Sequence, residues 1–184
     1  AVQCGKITLD QFQVFYMQLK EINKVRYRKH LNIVFAGIVA ALVIIALGSS
    51  TLYIHFLSTP EAPHFVHNLA GVVTAVIIVI YVLNKLRSHS FMYEVVYVWD
   101  LKQELNRIRR KQRKIEAAAE KDDHDAMIIL NFQYRGSKQL YELDDNTITI
   151  DSLLNRIRVL DKRLQAAGLS SSTDAYQASM LDKF

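Results

Sequence analysis

Charge is absent from one long stretch of this chain. No Asp, Glu, Lys or Arg lies between Leu31 and Leu57, although 22% of the 184 residues are charged. From Lys85 onward, charged residues return every few positions. Soluble domains mix apolar and charged residues along amphipathic helices, and their core helices rarely lack charge over 27 consecutive positions. The segregation therefore argues against an ordinary soluble domain.

Residues and motifs of catalytic or metal chemistry are also scarce. The single cysteine, Cys4, excludes an internal disulfide and has no His or Cys neighbour for a metal site. There is no Gly-rich phosphate loop, no H-E-x-x-H and no nucleophile motif. The carboxylates stand at turns and helix starts, where capping explains them. We therefore predict a protein that is not an enzyme, with no catalytic residue and no cofactor.

Two apolar runs are long enough to cross a membrane. About 20 apolar residues are needed to cross roughly 30 Å of hydrocarbon, and the runs cover Leu31–Leu57 and Phe65–Leu83. Pro60 and Pro63 lie between them and break the helix. The pattern predicts an all-α protein, in which a two-helix transmembrane hairpin is followed by a small cytoplasmic helical bundle.

The distribution of basic residues predicts the orientation of this hairpin. Lys and Arg residues precede the first run and follow the second, and the connecting loop has none. Because cytoplasmic flanks carry the excess of Lys and Arg, both termini are expected in the cytoplasm. The predicted segments are an N-terminal cytoplasmic helix or segment (1–30), the first span (31–57), a periplasmic loop (58–64), the second span (65–83) and a cytoplasmic helical domain (88–184).

Three histidines cluster near the predicted loop, at His55, His64 and His67. Three imidazoles could ligate a transition metal. Polar residues are expected at the end of a span in any case, so we predict no metal site here.

The cytoplasmic part has the periodicity of a helical bundle. A first helix is predicted from about residue 91 to 121, a second from 126 to 143 and a third from 150 to 167, with a short final helix over 174–184. Gly168 is well placed as a C-terminal cap. The first helix carries an apolar seam at heptad-like spacing. Its members are Val98, Leu101, Leu105, Ile108, Ile115 and Ala119, with Gln112 as the polar member.

The densest chemical feature is a basic segment with six cations in eight residues. They are Arg107, Arg109, Arg110, Lys111, Arg113 and Lys114. The segment could be a solvated face offset by nearby acids such as Glu116, Glu120 and the Asp144–Asp151 region. It could instead bind an anionic partner, either lipid headgroups or an acidic protein. Nucleic acid is disfavoured because interleaved aromatics and a binding motif are absent.

Spacing along the chain favours a protein partner over lipid. The basic segment begins about 20 residues after the second span, which is about 30 Å of helix. Unless the helix folds back towards the membrane, that distance exceeds a Debye length of about 10 Å.

Small residues recur at four-residue spacing in both spans. The candidate helix-packing residues are Gly37 with Ala41 and Gly71 with Ala75. Such pairs let helix backbones approach closely in lipid. They could serve packing within the hairpin or the interface of a homo-oligomer.

Four segments of the chain resemble a family of uncharacterised two-span membrane proteins of gammaproteobacteria. They are Val25–Asn32 (VRYRKHLN), Met92–Asn106 (MYEVVYVWDLKQELN), Arg110–Glu120 (RKQRKIEAAAE) and Asn131–Thr149 (NFQYRGSKQLYELDDNTIT). The resemblance covers the chain from Met17, which offers a natural start, to the C-terminus. It implies a bacterial inner-membrane protein and no particular activity.

Two functions are compatible with these features. The first is a non-enzymatic membrane-anchored adaptor or accessory protein, which presents its helical domain to a protein partner. The alternative is a subunit of an oligomeric pore or transporter in the inner membrane.

The orientation can be tested by thiol labelling in intact cells. A cysteine introduced as H64C should react with a membrane-impermeant thiol reagent from the periplasm, whereas Cys4 should not. The reason is that the loop contains no Lys or Arg, while the segments before the first span and after the second are rich in them. Labelling of Cys4 without cell disruption would contradict the predicted orientation.

Overall fold

The computed structural model describes residues 17–58, 63–146 and 150–184. Cys4 and Pro60 lie outside these ranges. The described residues form six α-helices and two short 3₁₀ helices, with no strand, which confirms the all-α prediction. The α-helices are α1 (Lys24–Leu57), α2 (Phe65–Leu86), α3 (Tyr93–Arg110), α4 (Gln112–Ala119), α5 (His124–Leu143) and α6 (Ile150–Ala166), and the 3₁₀ helices are Ser90–Met92 and Ala178–Lys183.

The chain divides into two compact units. One comprises Ile22–Trp99, and the other comprises residues 17–21 together with Asp100–Phe184. The first contains α1, α2 and the start of α3, and we call it the hairpin unit. The second contains the remaining helices, and we call it the bundle unit.

Helices α1 and α2 are long and apolar enough to cross a membrane by length and composition. Helix α1 begins at Lys24, seven residues before the predicted span, where the Asn23 side chain accepts a hydrogen bond from the Arg26 amide at 3.0 Å. The Lys and Arg residues that follow this cap, before the first apolar run, continue the helix because they are good helix formers. The helix ends at Leu57, and the backbone of the C-cap residue Ser58 is extended.

Helices α1 and α2 approach each other closely at Gly71. A Cβ placed on Gly71 would lie 2.8 Å from both the Ala46 carbonyl oxygen and the Ser50 amide nitrogen. Ser50 is buried beside it, and Ala75 is fully buried one turn further along α2. Position 71 therefore requires a glycine because there is no room for a side chain, and not because of its backbone conformation.

Gly37, in contrast, lies in open space. No heavy atom would come within 4 Å of a Cβ on Gly37, and the same is true of Gly48. The two predicted helix-packing pairs thus differ: Gly71 and Ala75 lie at the α1–α2 contact, whereas Gly37 is exposed on α1.

A buried carboxylate connects the start of α1 with the start of α3. Glu94 is 5% exposed and receives Arg26 Nε at 2.8 Å and His30 Nδ1 at 3.3 Å. The His30 ring also lies 4.1 Å from the ring of Phe91. A carboxylate buried without such partners would be strongly destabilising, so these contacts hold the two helix starts together.

The prediction of one continuous helix over 91–121 is wrong. A 3₁₀ turn precedes α3, and the backbone leaves the helical conformation at Lys111 (φ −106°, ψ 5°) before α4 begins. The apolar seam survives the break, since Leu101, Ile108 and Ile115 are fully buried. Gln112 bonds Glu116 Oε1 at 2.8 Å and so satisfies its polar group inside the seam.

Capping residues bound the two other α-helices of the bundle unit, and one of them is the predicted cap Gly168. Asp123 caps α5 by accepting a hydrogen bond from the Ala126 amide at 3.0 Å. Gly168 adopts a positive φ of 69° after α6, and the Leu169 amide bonds the Leu164 carbonyl at 2.8 Å, as in a Schellman motif. Inside α5, Gly136 admits Leu101 and Leu105, which would lie 3.2–3.5 Å from an added Cβ.

The two glycines of the hairpin unit provide a matched pair for mutation. Gly71→Leu should destabilise the unit by about 1–3 kcal/mol, because the added side chain meets the α1 backbone. Gly37→Leu should leave its stability unchanged. Thermal unfolding of the full chain in detergent, followed by circular dichroism, measures both. Equal losses in the two variants would contradict the packing described here.

Candidate functional site

The structure divides the basic segment into two sets of cations. Three of them bind atoms of the bundle unit itself. Arg107 Nη1 lies 3.1 Å from Glu104 Oε2. Lys111 Nζ donates to the main-chain oxygen of Leu181, and Lys114 Nζ donates to that of Phe184, each at 2.7 Å.

The other three cations point away from the bundle. Arg109, Arg110 and Arg113 are all exposed, and we call them the arginine face. Arg110 Nε reaches only the Asn106 carbonyl one turn earlier, at 3.5 Å. In the part of the chain that the structure describes, none of the three has a carboxylate within 4.0 Å.

Two of the acids expected to offset the basic segment pair with other cations. Glu116 lies 3.8 Å from Arg156, and Asp144 lies 3.0 Å from Lys102. These two carboxylates are therefore not the counter-ions of the arginine face. An interpretation of the segment as a locally neutralised helix surface does not apply to its outward half.

Residues 169–184 lie across the bundle, and we call them the C-terminal strap. Tyr176 is 1% exposed and stacks on Phe132, with ring centroids 4.1 Å apart and an angle of 16° between the planes. Its hydroxyl donates a hydrogen bond to Glu104, the buried carboxylate that also receives Arg107. Burial raises the pKa of Tyr176, and the hydrogen bond to Glu104 raises it further, so the hydroxyl stays a donor.

The beginning of the strap is held by an amide. Asn131 Nδ2 donates to the Ser171 and Ser172 carbonyls at 3.0 and 3.1 Å. Arg135 orients this amide, because its Nε donates to Asn131 Oδ1 at 2.8 Å while its Nη2 bonds Asp161 at 2.7 Å. Asn131 is 2% exposed, so the contact is shielded from water.

The end of the strap is held by charge. Lys183 Nζ lies 2.7 Å from Asp123 and 2.9 Å from Asp125. The hydrogen bond from Lys183 lowers the pKa of Asp123, and the two carboxylates raise the pKa of Lys183. Because the Asp123 pKa is depressed on folding, its stabilising contribution is present above the usual Asp pKa and is lost as pH falls through the lowered value.

Sequence reasoning found the basic segment but missed the strap. Lys111 and Lys114 bind main-chain oxygens, which leave no mark in the sequence. The available signal was Tyr176, a large aromatic within the small and polar stretch from Ser170 to Ser179.

The predicted histidine cluster shows no arrangement of ligands. The His64 and His67 ring centroids are 6.5 Å apart. Among the described residues, no group of three or more His, Cys, Asp or Glu side chains could hold a metal ion.

Together these features describe an all-helical protein with two long apolar helices and a helical bundle that displays an arginine face. Residues 17–181 match the model of a family described as "Protein of unknown function (DUF3087)". The chain therefore belongs to this family, and the match begins at Met17, where the sequence resemblance also begins. No curated protein and no solved structure matches the chain.

The strap contact can be tested at Tyr176. Tyr176→Phe keeps the ring on Phe132 but removes the hydroxyl donor from the buried Glu104 carboxylate, which should cost about 1–3 kcal/mol of unfolding free energy. Urea unfolding of the full chain in detergent measures the change.

Tyr141→Phe is the control for that experiment, since Tyr141 is half-buried on α5 and distant from the strap in sequence. Its loss should be small. A Tyr176→Phe variant as stable as the control would show that Glu104 is satisfied without the strap.

Proposed function

We propose that this protein is a non-enzymatic adaptor, anchored in the bacterial inner membrane by α1 and α2, whose arginine face binds an acidic protein partner. The observation that carries the proposal is the exposure of Arg109, Arg110 and Arg113 without carboxylate partners. Two nearby acids, Glu116 and Asp144, pair with Arg156 and Lys102 instead.

Exposed apolar surface supports the membrane anchor. In the most apolar 18-residue stretch of α1 no residue is buried, and in that of α2 only 17% are. Phe35 and Ile44 are 68% and 70% exposed. A core helix of a soluble protein buries such residues, whereas lipid is an apolar solvent for them. The Lys and Arg residues that flank both helices support cytoplasmic termini.

The chemistry of the arginine face supports an acidic protein as the partner. A guanidinium presents a planar fork of donors that matches a carboxylate with two parallel hydrogen bonds. The spacing along the chain between the second apolar run and the basic segment favours a protein over lipid headgroups.

A second candidate function is a subunit of an oligomeric pore or transporter. The observation that favours it is the open space at Gly37 and Gly48, which leaves room on α1 for a helix of another copy. Between Leu31 and Leu57, α1 carries no Asp, Glu, Lys or Arg, so a charged pathway could not be formed by that part of the helix.

Neutralising the arginine face tests the adaptor proposal. In native membranes, crosslinking with mass spectrometry should identify a partner whose contact surface is acidic. R109Q/R110Q/R113Q should reduce its binding roughly tenfold, because three exposed ion pairs contribute about 0–1 kcal/mol each. Raising the salt concentration should weaken the wild-type complex in the same way. Gln is a comparable helix former, so the helix content should not change.

K121Q/R158Q/K162Q is the matched control. It removes three exposed cations from the same unit and leaves the arginine face intact. Equal loss of binding in both triple variants would mean that net charge, and not this face, attracts the partner. Recovery of crosslinks only between copies of this chain would support the pore or transporter subunit, and binding to anionic vesicles alone would favour lipid.

A further inference from the structure

The end of the C-terminal strap, residues 177–184, occupies two lysines of the basic segment. Lys111 Nζ donates to the Leu181 carbonyl and Lys114 Nζ donates to the main-chain oxygen of Phe184, each at 2.7 Å. Both lysines belong to the run of six cations that also contains the arginine face. The strap end therefore withholds two cations from the surface that the arginine face displays.

Lys111 contacts a weaker acceptor than an acidic partner would offer. The side chain is half-buried, and its ammonium carries a full charge that the neutral Leu181 carbonyl does not balance. A carboxylate in place of this carbonyl would keep the hydrogen bond and add the attraction between opposite charges. An acidic segment can therefore replace the strap end at this position.

Exposed ion pairs hold the outer side of the strap end. Lys183 Nζ lies 2.7 Å from Asp123 and 2.9 Å from Asp125, and the Lys183 side chain is 51% exposed. Exposed pairs of this kind stabilise little, because water and salt screen them. The end forms only a short 3₁₀ helix, whose buried residues are Ala178 and Leu181. These few contacts allow the strap end to open locally while the rest of the bundle stays folded.

The strap is held more firmly just before this end. Tyr176 is 1% exposed, stacks on Phe132 and donates a hydrogen bond to the buried Glu104. Gln177, the next residue, has an extended backbone, with φ −133° and ψ 135°. Opening at Gln177 would release the strap end and leave Tyr176 in its place.

We propose that the strap end is a displaceable cover of the basic segment. An acidic partner that binds the arginine face also displaces the strap end and binds Lys111 and Lys114, so the closed strap inhibits its own protein's binding surface. The inference rests on the proposed binding of an acidic partner, and it adds how that binding is regulated. The open surface has five cations, namely Arg109, Arg110, Lys111, Arg113 and Lys114.

The charge of Lys183 allows a test in which the two explanations differ in sign. The probe is a fluorescein-labelled oligoglutamate peptide, and its binding to the full chain in detergent at low salt is measured by fluorescence anisotropy. Lys183→Gln removes a positive charge, so general electrostatics predicts weaker binding of this anion. Release of the strap end predicts a Kd that is roughly threefold lower, because loss of the ion pairs shifts the equilibrium towards the open form.

K121Q is the matched control. Lys121 is exposed in the same unit and lies outside both the strap and the basic segment. Its loss removes the same charge and should weaken binding slightly or leave it unchanged. A K183Q variant that binds oligoglutamate no better than K121Q would overturn the proposal.

The two covered lysines must account for the gain. K111Q/K114Q should remove the threefold gain when it is combined with K183Q. It should change binding less in the wild-type background, where the strap end occupies both lysines. A gain that persists without Lys111 and Lys114 would mean that K183Q acts at another place, and it would reject the cover.

Hydrogen exchange measured by mass spectrometry reports the opening directly. Saturating oligoglutamate should accelerate amide exchange at Met180 and Phe184, whose amides bond the Gln177 and Leu181 carbonyls in the closed strap. Exchange around Tyr176 should not change. Binding of the peptide without faster exchange would show that it binds beside a closed strap, which contradicts displacement.

The variant R109Q/R110Q/R113Q separates this inference from the adaptor proposal. If it binds oligoglutamate as well as the wild type does while K183Q still increases binding, the arginine face is rejected and the cover stands on the two lysines. If it binds less well while K183Q brings no gain, the arginine face stands and the cover is rejected. Absence of binding in every variant rejects both.

Discussion

The apolar surface of α1 and α2 is the constraint on which the hairpin unit depends. These helices cover little of each other, and side chains such as Phe35 and Ile44 point away from the chain. In the hydrocarbon surrounding of the proposed membrane anchor, apolar contact alone gives helices no reason to associate, so close packing and hydrogen bonds must hold them together. The unit meets this requirement where Gly71 lets the backbones approach and where Tyr53 Oη lies 2.9 Å from Thr74 Oγ1.

Much of the fold could be predicted because its signals are local. The apolar runs, the heptad-like seam, the Asp123 cap and the Gly168 cap all depend on residues within a turn or two of one another. The interruption at Lys111 could not be predicted, since its segment contains only good helix formers. At the interruption, Lys111 Nζ binds the main-chain oxygen of Leu181, which is 70 positions away in the chain. Helix α1 begins seven residues before the first apolar run because the basic residues that precede this run are also good helix formers.

The candidate site was predictable in composition but not in geometry. The six cations of the basic segment are evident in the sequence. Nothing local distinguishes Arg113 from its neighbour Lys114, although both are exposed and only Lys114 binds the strap. The buried Glu104 likewise acquires its role from Tyr176, 72 positions away. Long-range contacts of this kind depend on how the helices pack, which single-sequence patterns do not specify.

The strap is recognised largely through its backbone. Asn131, Lys111 and Lys114 all bind main-chain oxygens, so these contacts are indifferent to the side chains of the residues that accept them. Substitutions are therefore tolerated unequally by the strap and by the bundle residues that bind it. Exposed strap positions such as Ser179 and Asp182 can change while the docking contacts persist, whereas the three donors on the bundle have no such freedom.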